Sequence, residues 1–461
     1  MTDSAAPDRM TDSAAPDRGL AAATAARVDH AVAVAQRTWR CPGVSAGLVR
    51  DGQLVHSVHV GSARLDPPTA AGDHTAYLIG SVTKTFTAVL VMQLRDEGRL
   101  HLDDPLERFL AGSAHGRLTI RGLLSHLSGL QREPVGRIWE TLDNPDSARL
   151  LEELADARAV LAPGEAFHYS NLAYALLGQV VETLDGRPWE QALRARVLDP
   201  LGMTETGLTP AAGHALGYLV HPFSGVARPE PVVELRATAP MGGLWSTVAD
   251  LTRYAAFLAD PDPAVLAPDT LAQMCRPTVM VDPDTWTLGY GLSLGMVRRG
   301  ERIYVGHGGA MPGFLTGLRV SRPDRLGAVV FANSSAGAAP IQLAADLLDL
   351  VLDAEPTPPP AWVPEAPDAV LEEVLGSWWS EGEELRFAVR EGRLWCSVPG
   401  EPAFQESRFA ADGPDRFVVD LGRERGEALE LVRDEAGQVV KMYLATYAVT
   451  RAPLSFAELS D

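Results

Sequence analysis

Lysine is almost absent from this chain. Of its 40 basic residues only Lys84 and Lys441 are lysine; the rest are arginine. Arginine serves wherever a permanent cation suffices, so a lysine kept against that bias marks a place where an amine able to release its proton is useful. Cysteine is scarce too: Cys41, Cys275 and Cys396 are odd in number, widely spaced and form no C-x-x-C pair. That pattern argues against a disulfide framework and a zinc site. No H-E-x-x-H or paired-histidine pattern occurs either, so neither a metal nor a cofactor is expected. No stretch reaches the roughly 20 apolar residues that span a bilayer. Positive charge is in deficit, with a formal net charge of −20. Nucleic acid and anionic membranes repel such a surface and are not expected as partners.

What is present is a chain of 461 residues, 46% hydrophobic and 22% charged, as expected of a soluble globular enzyme with more than one domain. Residues 1–9 (MTDSAAPDR) recur as residues 10–18. This polar leader reads as disordered, an alternative start or an appended scar. Arg27, Asp29 and His30 stand where a secretory core would be apolar, which points to a cytoplasmic location.

Periodicity predicts a helix over 28–39, then strands over 44–50 and 53–60 around the turn Asp51-Gly52. A helix runs from Ser81 to Glu97 with Gly98 as its stop, another over 172–184, and another over 247–258 with Ser246 as its cap. Strand signals return at 290–294, 302–305, 317–321 and 327–333, before a helix over 340–352. The expected fold is α+β: an antiparallel sheet with an all-helical part inserted. Six prolines in 355–368 mark a stiff linker. Hairpin patterns beyond it predict a small antiparallel barrel or sandwich. The expected domains are 1–18 (leader), 19–354 (catalytic), 355–368 (linker) and 369–461 (barrel).

Three short motifs could carry chemistry. Ser81-Val82-Thr83-Lys84 places hydroxyl and amine three residues apart on one helix face, and a serine needs a neighbouring base to act as a nucleophile. Its bland reading is a capping serine beside a solvated lysine. Tyr169-Ser170-Asn171 offers a phenol whose pKa a cationic lysine would depress and an amide able to hold a substrate carbonyl; the bland reading is an asparagine cap. His307-Gly308-Gly309-Ala310 offers an edge strand along which another backbone can lie; the bland reading is a glycine bulge.

In this order and context the chain resembles the penicillin-recognising serine hydrolases: class C β-lactamases, D,D-carboxypeptidases, D-aminopeptidases and related esterases. The stretches YLIGSVTKTF, LLSHLSGL, PGEAFHYSN, PLGMTET and MGGLWSTVAD carry the resemblance across about residues 28–352. It implies that Ser81 forms an acyl-enzyme while Lys84 and Tyr169 move the proton. The N–H groups of Ser81 and Ala310 would make the oxyanion hole, and Asn171 would hold the substrate amide. His307 stands where many relatives carry lysine, in His-Gly-Gly instead of Lys-Thr-Gly, so weak or no β-lactam hydrolysis is expected.

The chain is also similar to penicillin-binding-protein-type thioesterases, stand-alone peptide cyclases with a small C-terminal β-domain of lipocalin-like type. That resemblance implies a peptidyl thioester, free or carrier-bound, as substrate, with Arg451 a candidate for meeting a substrate carboxylate. A small-molecule or short-peptide acyl substrate is the expectation common to both readings; a non-catalytic scaffold is the third. One decoy is set aside: Gly43-Val44-Ser45-Ala46-Gly47 matches a nucleophile elbow but lies in a hairpin strand.

Overall fold

The turn at Asp51-Gly52, with φ of 50° and 77°, reverses the chain in the left-handed geometry that a two-residue hairpin requires. It joins β1 (Gly43–Arg50) to β2 (Gln53–Leu65). The computed structural model describes residues 19–210, 213–335, 337–358, 361–364 and 368–459. The duplicated leader and part of the proline-rich stretch lie outside them. The described chain forms two compact units that divide between Thr357 and Pro358.

In the first unit, β3 (Pro68–Ala70) is followed by a largely helical insertion. The sheet resumes with β4 (Val279–Met280), β5 (Leu288–Tyr290), β6 (Gly295–Arg299), β7 (Arg302–Met311), β8 (Phe314–Ser321) and β9 (Leu326–Ala332). The nine strands lie in the order β3-β2-β1-β9-β8-β7-β6-β5-β4, antiparallel throughout. The expected α+β architecture is what the chain adopts. Of the strand predicted over 290–294 only Tyr290 lies in a strand, since residues 291–294 form the turn between β5 and β6, and the strand predicted over 302–305 runs on to Met311.

Side chains alternate across the sheet with the period of two that strands impose. Ala328, Val330 and Ala332 pack with α1 (Ala22–Trp39) and the C-terminal helix of this unit, Pro340–Ala354. Val329 and Phe331 join the opposite core with α2 (Thr83–Asp96), α3 (Asn171–Asp185) and α4 (Val248–Ala259). The sheet is thus covered on both faces, and Pro340–Ala354 is α5. Helix α2 is buried almost all round, from Thr83 to Met92 and again at Leu94, and Gly98 (φ 71°) follows its end in the left-handed conformation typical of helix termini. The cap of α4 is Thr247, whose hydroxyl accepts from the Asp250 N–H, instead of Ser246, which pairs with Tyr77 in a two-stranded sheet.

The second unit contains a closed barrel of eight antiparallel strands, β10–β17, between Gly376 and Thr450. Inward side chains, among them Trp378, Phe387, Phe409, Phe417 and Met442, form its own core, as in other small barrels filled by side chains. Among the described residues, no helix is long and apolar enough to cross a membrane.

Candidate active site

Ser81 does not open α2 directly. It sits in the 3-10 turn Gly80–Val82 that precedes Thr83. That turn is pressed against β7 by two glycines. A Cβ on Gly80 (φ 52°) would lie 2.6 Å from the Ala310 nitrogen, and one on Gly309 would lie 1.9 Å from the Ile79 carbonyl oxygen. Strand β7 pairs with β6 only as far as Gly306, so His307–Met311 keep one free edge, and that edge meets Ser81. The edge is therefore half a strand long, in the interior of the sheet order. Gly309→Ala should forfeit both the approach and about 3 kcal/mol of stability, whereas Gly308→Ala meets only the end of the Ile341 side chain at 3.1 Å. Thermal unfolding of the two variants checks this contrast.

Lys84 lies one turn further along, fully buried. Its Nζ is 3.0 Å from Ser81 Oγ and donates to the Met241 carbonyl at 2.5 Å. Burial pushes its pKa well below the usual lysine range; Glu133 opposes this and Arg132 adds to it. The Tyr169 ring stands 5.0 Å from Lys84 Nζ, and the Ser81 side chain acts on the Tyr169 phenol, lowering its pKa against the larger effect of burial. Burial raises the Tyr169 pKa, against the depression expected from a cationic lysine. The cause is burial: a phenolate in a dry site costs more than a neighbouring amine, whose own charge is disfavoured there, can return.

The Tyr169–Asn171 segment is held by a loop that sequence reasoning left without a role. The His126 carbonyl accepts from the His168 N–H at 2.9 Å, and His126 Nδ1 accepts from the Ser170 N–H at 3.0 Å. The Arg132 carbonyl accepts from the Asn171 N–H at 2.6 Å. Ser170 caps α3, its hydroxyl accepting from the Ala173 N–H. That frees the Asn171 side chain, whose Nδ2 donates to Glu133 Oε1 at 2.7 Å. The amide expected to hold a substrate carbonyl is already donating to a carboxylate, and its buried Oδ1 has no donor among the described residues.

His307 is brought to the site, but as a neutral fixture. Its Nδ1 meets the Gly308 carbonyl at 2.5 Å, and a carbonyl can only accept, so the ring proton is on Nδ1. Nε2 then accepts from the Tyr290 hydroxyl at 3.2 Å. Both ring nitrogens are engaged, and burial lowers the pKa to about 3, helped by Lys84. His307 lines the cleft with Ser81 in its neutral form. His126 is likewise held neutral, its pKa pushed well below the ordinary value by burial. Both folded-state values lie below the unfolded value of about 6.5, so in acid the unfolded chain binds more protons and stability falls as the pH drops from about 6.5 toward 3. His307→Asn should flatten that fall in a series of melting temperatures.

Arg451, the expected carboxylate binder, belongs to the second unit. Its guanidinium stacks 3.7 Å from the centre of the Trp378 ring and donates to the carbonyls of Glu373 (2.7 Å) and Leu375 (3.0 Å). Those bonds close the barrel's own chain and leave the residue committed. The Ser45 decoy does meet His59 Nδ1 at 2.9 Å, and His59 Nε2 meets Asp73 at 2.9 Å. Ser45 is nonetheless fully buried in β1, where no acyl group can reach it.

Ser81, Tyr169, Asn171 and His307–Ala310 line one cleft of about 870 Å³, with Arg132, Glu133 and Trp139 on its wall. That volume suits a small molecule or short peptide. Arg132 is the single permanent cation among the lining residues. Among the described residues no group of side chains is arranged to hold a metal ion.

The sequence model of the beta-lactamase family matches residues 28–353. This chain belongs to the beta-lactamase family. A second model, described as a domain of unknown function (DUF7586), matches residues 367–451. Penicillin-binding protein 4 of Amycolatopsis lactamdurans is 30% identical over 300 residues, 60% of this chain and 77% of that protein. Esterase EstB of Burkholderia gladioli is 33% identical over 230 residues, 46% of this chain and 57% of that protein. Among solved structures, SurE superposes with a TM-score of 0.60 at 29% identity, covering 93% of this chain and 99% of its own, and SurE has also been solved with D-Leu. Members of this family are serine hydrolases, among them esterases and carboxypeptidases.

Proposed function

We propose that this chain is a serine hydrolase that passes the acyl group of an amide or ester through Ser81 to water, with a D-configured residue in its preferred substrate. The observation that carries the reading is the contact of Ser81 Oγ with a buried amine at 3.0 Å, beside the buried Tyr169 phenol and a free strand edge. A neutral Lys84 takes the hydroxyl proton as Ser81 attacks the carbonyl. Tyr169, held protonated, relays that proton: it gives its own to the leaving group and takes the one from Lys84 in return, so that amine and phenol both end neutral. The Ser81 and Ala310 N–H groups are the oxyanion donors. Esterase EstB supports the ester, and SurE with D-Leu supports the D-configuration.

Beside His307 the wall carries no charge, with Met311, Leu315, Ala338, Pro340 and Ile341 interrupted only by the hydroxyls of Thr316 and Ser335. A neutral imidazole on an uncharged wall offers a β-lactam carboxylate no counter-ion, which supports weak or absent β-lactam turnover. The test exposes the protein and Ser81→Ala to p-nitrophenyl esters, D- and L-peptide amides, a β-lactam and a peptidyl thioester, with intact mass and products recorded. Ester acylation that survives in the alanine variant defeats the assignment; cyclic product from the thioester makes the acceptor an amine instead of water.

A further inference from the structure

Apart from the Ser81 cleft, the outer strands of the sheet carry a second pocket of about 500 Å³ that shares no lining residue with it. The strand register explains its position. Met280 stands opposite Gly289, Gly289 opposite Met296 and, one row on, Arg298 opposite Ile303. Residues directly opposite one another share a face of the sheet, and alternate residues of β6 do as well. This is the face of the helical insertion, whose core Met296 joins. The insertion covers the outer strands only in part: Met280 is half-buried and Ile303 is 46% exposed. Gly289 keeps the floor low between the two methionines. A Cβ there would already touch the Pro277 side chain at 3.4 Å and the Met280 sulfur at 3.6 Å.

The lip of the pocket is a strained tryptophan. Trp286 has φ of 55°, in the left-handed region that bulky residues avoid, and stays 69% exposed. Asp282 holds it there. The Asp282 carbonyl accepts from the Trp286 N–H at 3.0 Å, and its carboxylate accepts from the hydroxyls of Thr285 and Thr287 and from the N–H groups of Thr287 and Leu288. An indole fixed in water beside an apolar hollow is surface that an apolar ligand would cover.

Arg298 gives the pocket its sign. Strand alternation turns Arg299 and its partner Arg302 to the other face, where they pair with Asp346, Asp349 and Asp353 of α5. Arg298 stays on the pocket side, exposed and with no carboxylate partner among the described residues. The Asp282 carboxylate is taken up by its own turn.

We infer that this pocket binds an amphiphilic carboxylate of the medium-chain fatty acid class. Its tail lies among Pro277, Met280, Trp286, Met296 and Ile303, and its head meets Arg298. The guanidinium fork matches a carboxylate, the thioether side chains adapt to a flexible chain, and the volume is that of a small-molecule site. The net charge of −20 repels a free anion, so the head group alone is not held and acetate should not bind. No step at Ser81 enters, and the site stands or falls separately from the Ser81 reading.

The experiment titrates octanoate into the full-length protein at neutral pH and follows isotope-labelled methionine methyl groups by NMR. Met280 and Met296 report on this pocket and Met311 on the cleft. The Met280 and Met296 signals are expected to shift together along one saturable curve. Hexanoate, two methylenes shorter, should bind about tenfold more weakly. Octan-1-ol and octylammonium keep the tail and should also bind about tenfold more weakly, having lost the charged hydrogen bond. Arg298→Gln should bring octanoate down to the level of octan-1-ol and leave octan-1-ol unchanged. Met280 and Met296 signals that stay still, or that respond alike to all three head groups, overturn the inference. So does a shift of Met311 alone, which places octanoate in the cleft, and so does a preference for the carboxylate that survives Arg298→Gln. The head-group comparison needs no variant, so it decides the matter even if Arg298→Gln does not fold.

Discussion

Ser81→Ala is expected to take ester and amide turnover down by about 10⁴-fold or more, to the level that binding and oxyanion donors sustain alone. The size follows from how the site is divided. Lys84 and Tyr169 both act on the Ser81 hydroxyl, so its loss strands them together and their contributions vanish with it. The hydroxyl is small and Ser81 lines the open cleft, so the fold should be kept and the melting temperature little changed. Lys84, deprived of its partner at 3.0 Å, retains its bond to the Met241 carbonyl. Burst kinetics with a p-nitrophenyl ester, read beside intact mass, measures the effect. A variant that still shows a stoichiometric burst would place the acyl group on another residue.

Much of this arrangement was legible in the sequence because it is local. The spacing of Ser81 and Lys84 is one helical turn, and the glycines at 308 and 309 announce a strand that another backbone can approach. What was not legible depends on contacts between distant segments. Glu133 reads as one more acidic loop residue until the Arg132 carbonyl is seen to receive the start of α3, which brings Asn171 onto the Glu133 carboxylate 38 residues away. Tyr290 reads as a strand aromatic until it meets His307 across 17 residues. The direction of the Tyr169 shift was misjudged because a neighbouring charge can be read from a motif, whereas the burial that outweighs it cannot. The surroundings of Arg451 were not legible for the same reason: its partners are the backbone carbonyls of Glu373 and Leu375, more than 70 residues earlier. The signal available for Glu133 was its place three residues after LLSHLSGL, a stretch already marked by the resemblance.

Lys84→Met should separate the chemistry of the amine from its cost to the fold. Methionine nearly matches the lysine stem in length and carries no charge, so packing against Tyr169 and Tyr174, whose ring centres lie 5.0 and 5.6 Å from Nζ, is largely kept. Turnover is expected to fall by about 10³- to 10⁴-fold, the upper range for a positioned base. The rising acid limb of the wild-type pH profile should vanish with it, since that limb reports the neutral fraction of Lys84. Stability should move the other way. The folded chain holds Lys84 well below the usual lysine value by burial, while the unfolded chain holds it near 10.4. Between those two values the unfolded state binds the extra proton, so wild-type stability rises with pH, and at neutral pH the amine is a penalty that methionine does not carry. Lys84→Met should therefore melt above the wild type at pH 7, with the gap closing toward pH 10. Arginine at this position would keep the charge, could not release it, and would bury it at greater cost; in a chain that uses arginine nearly everywhere, that is the physical reason for a lysine here. Retained turnover in Lys84→Met would shift the base to Tyr169, against the upward push that burial gives its phenol.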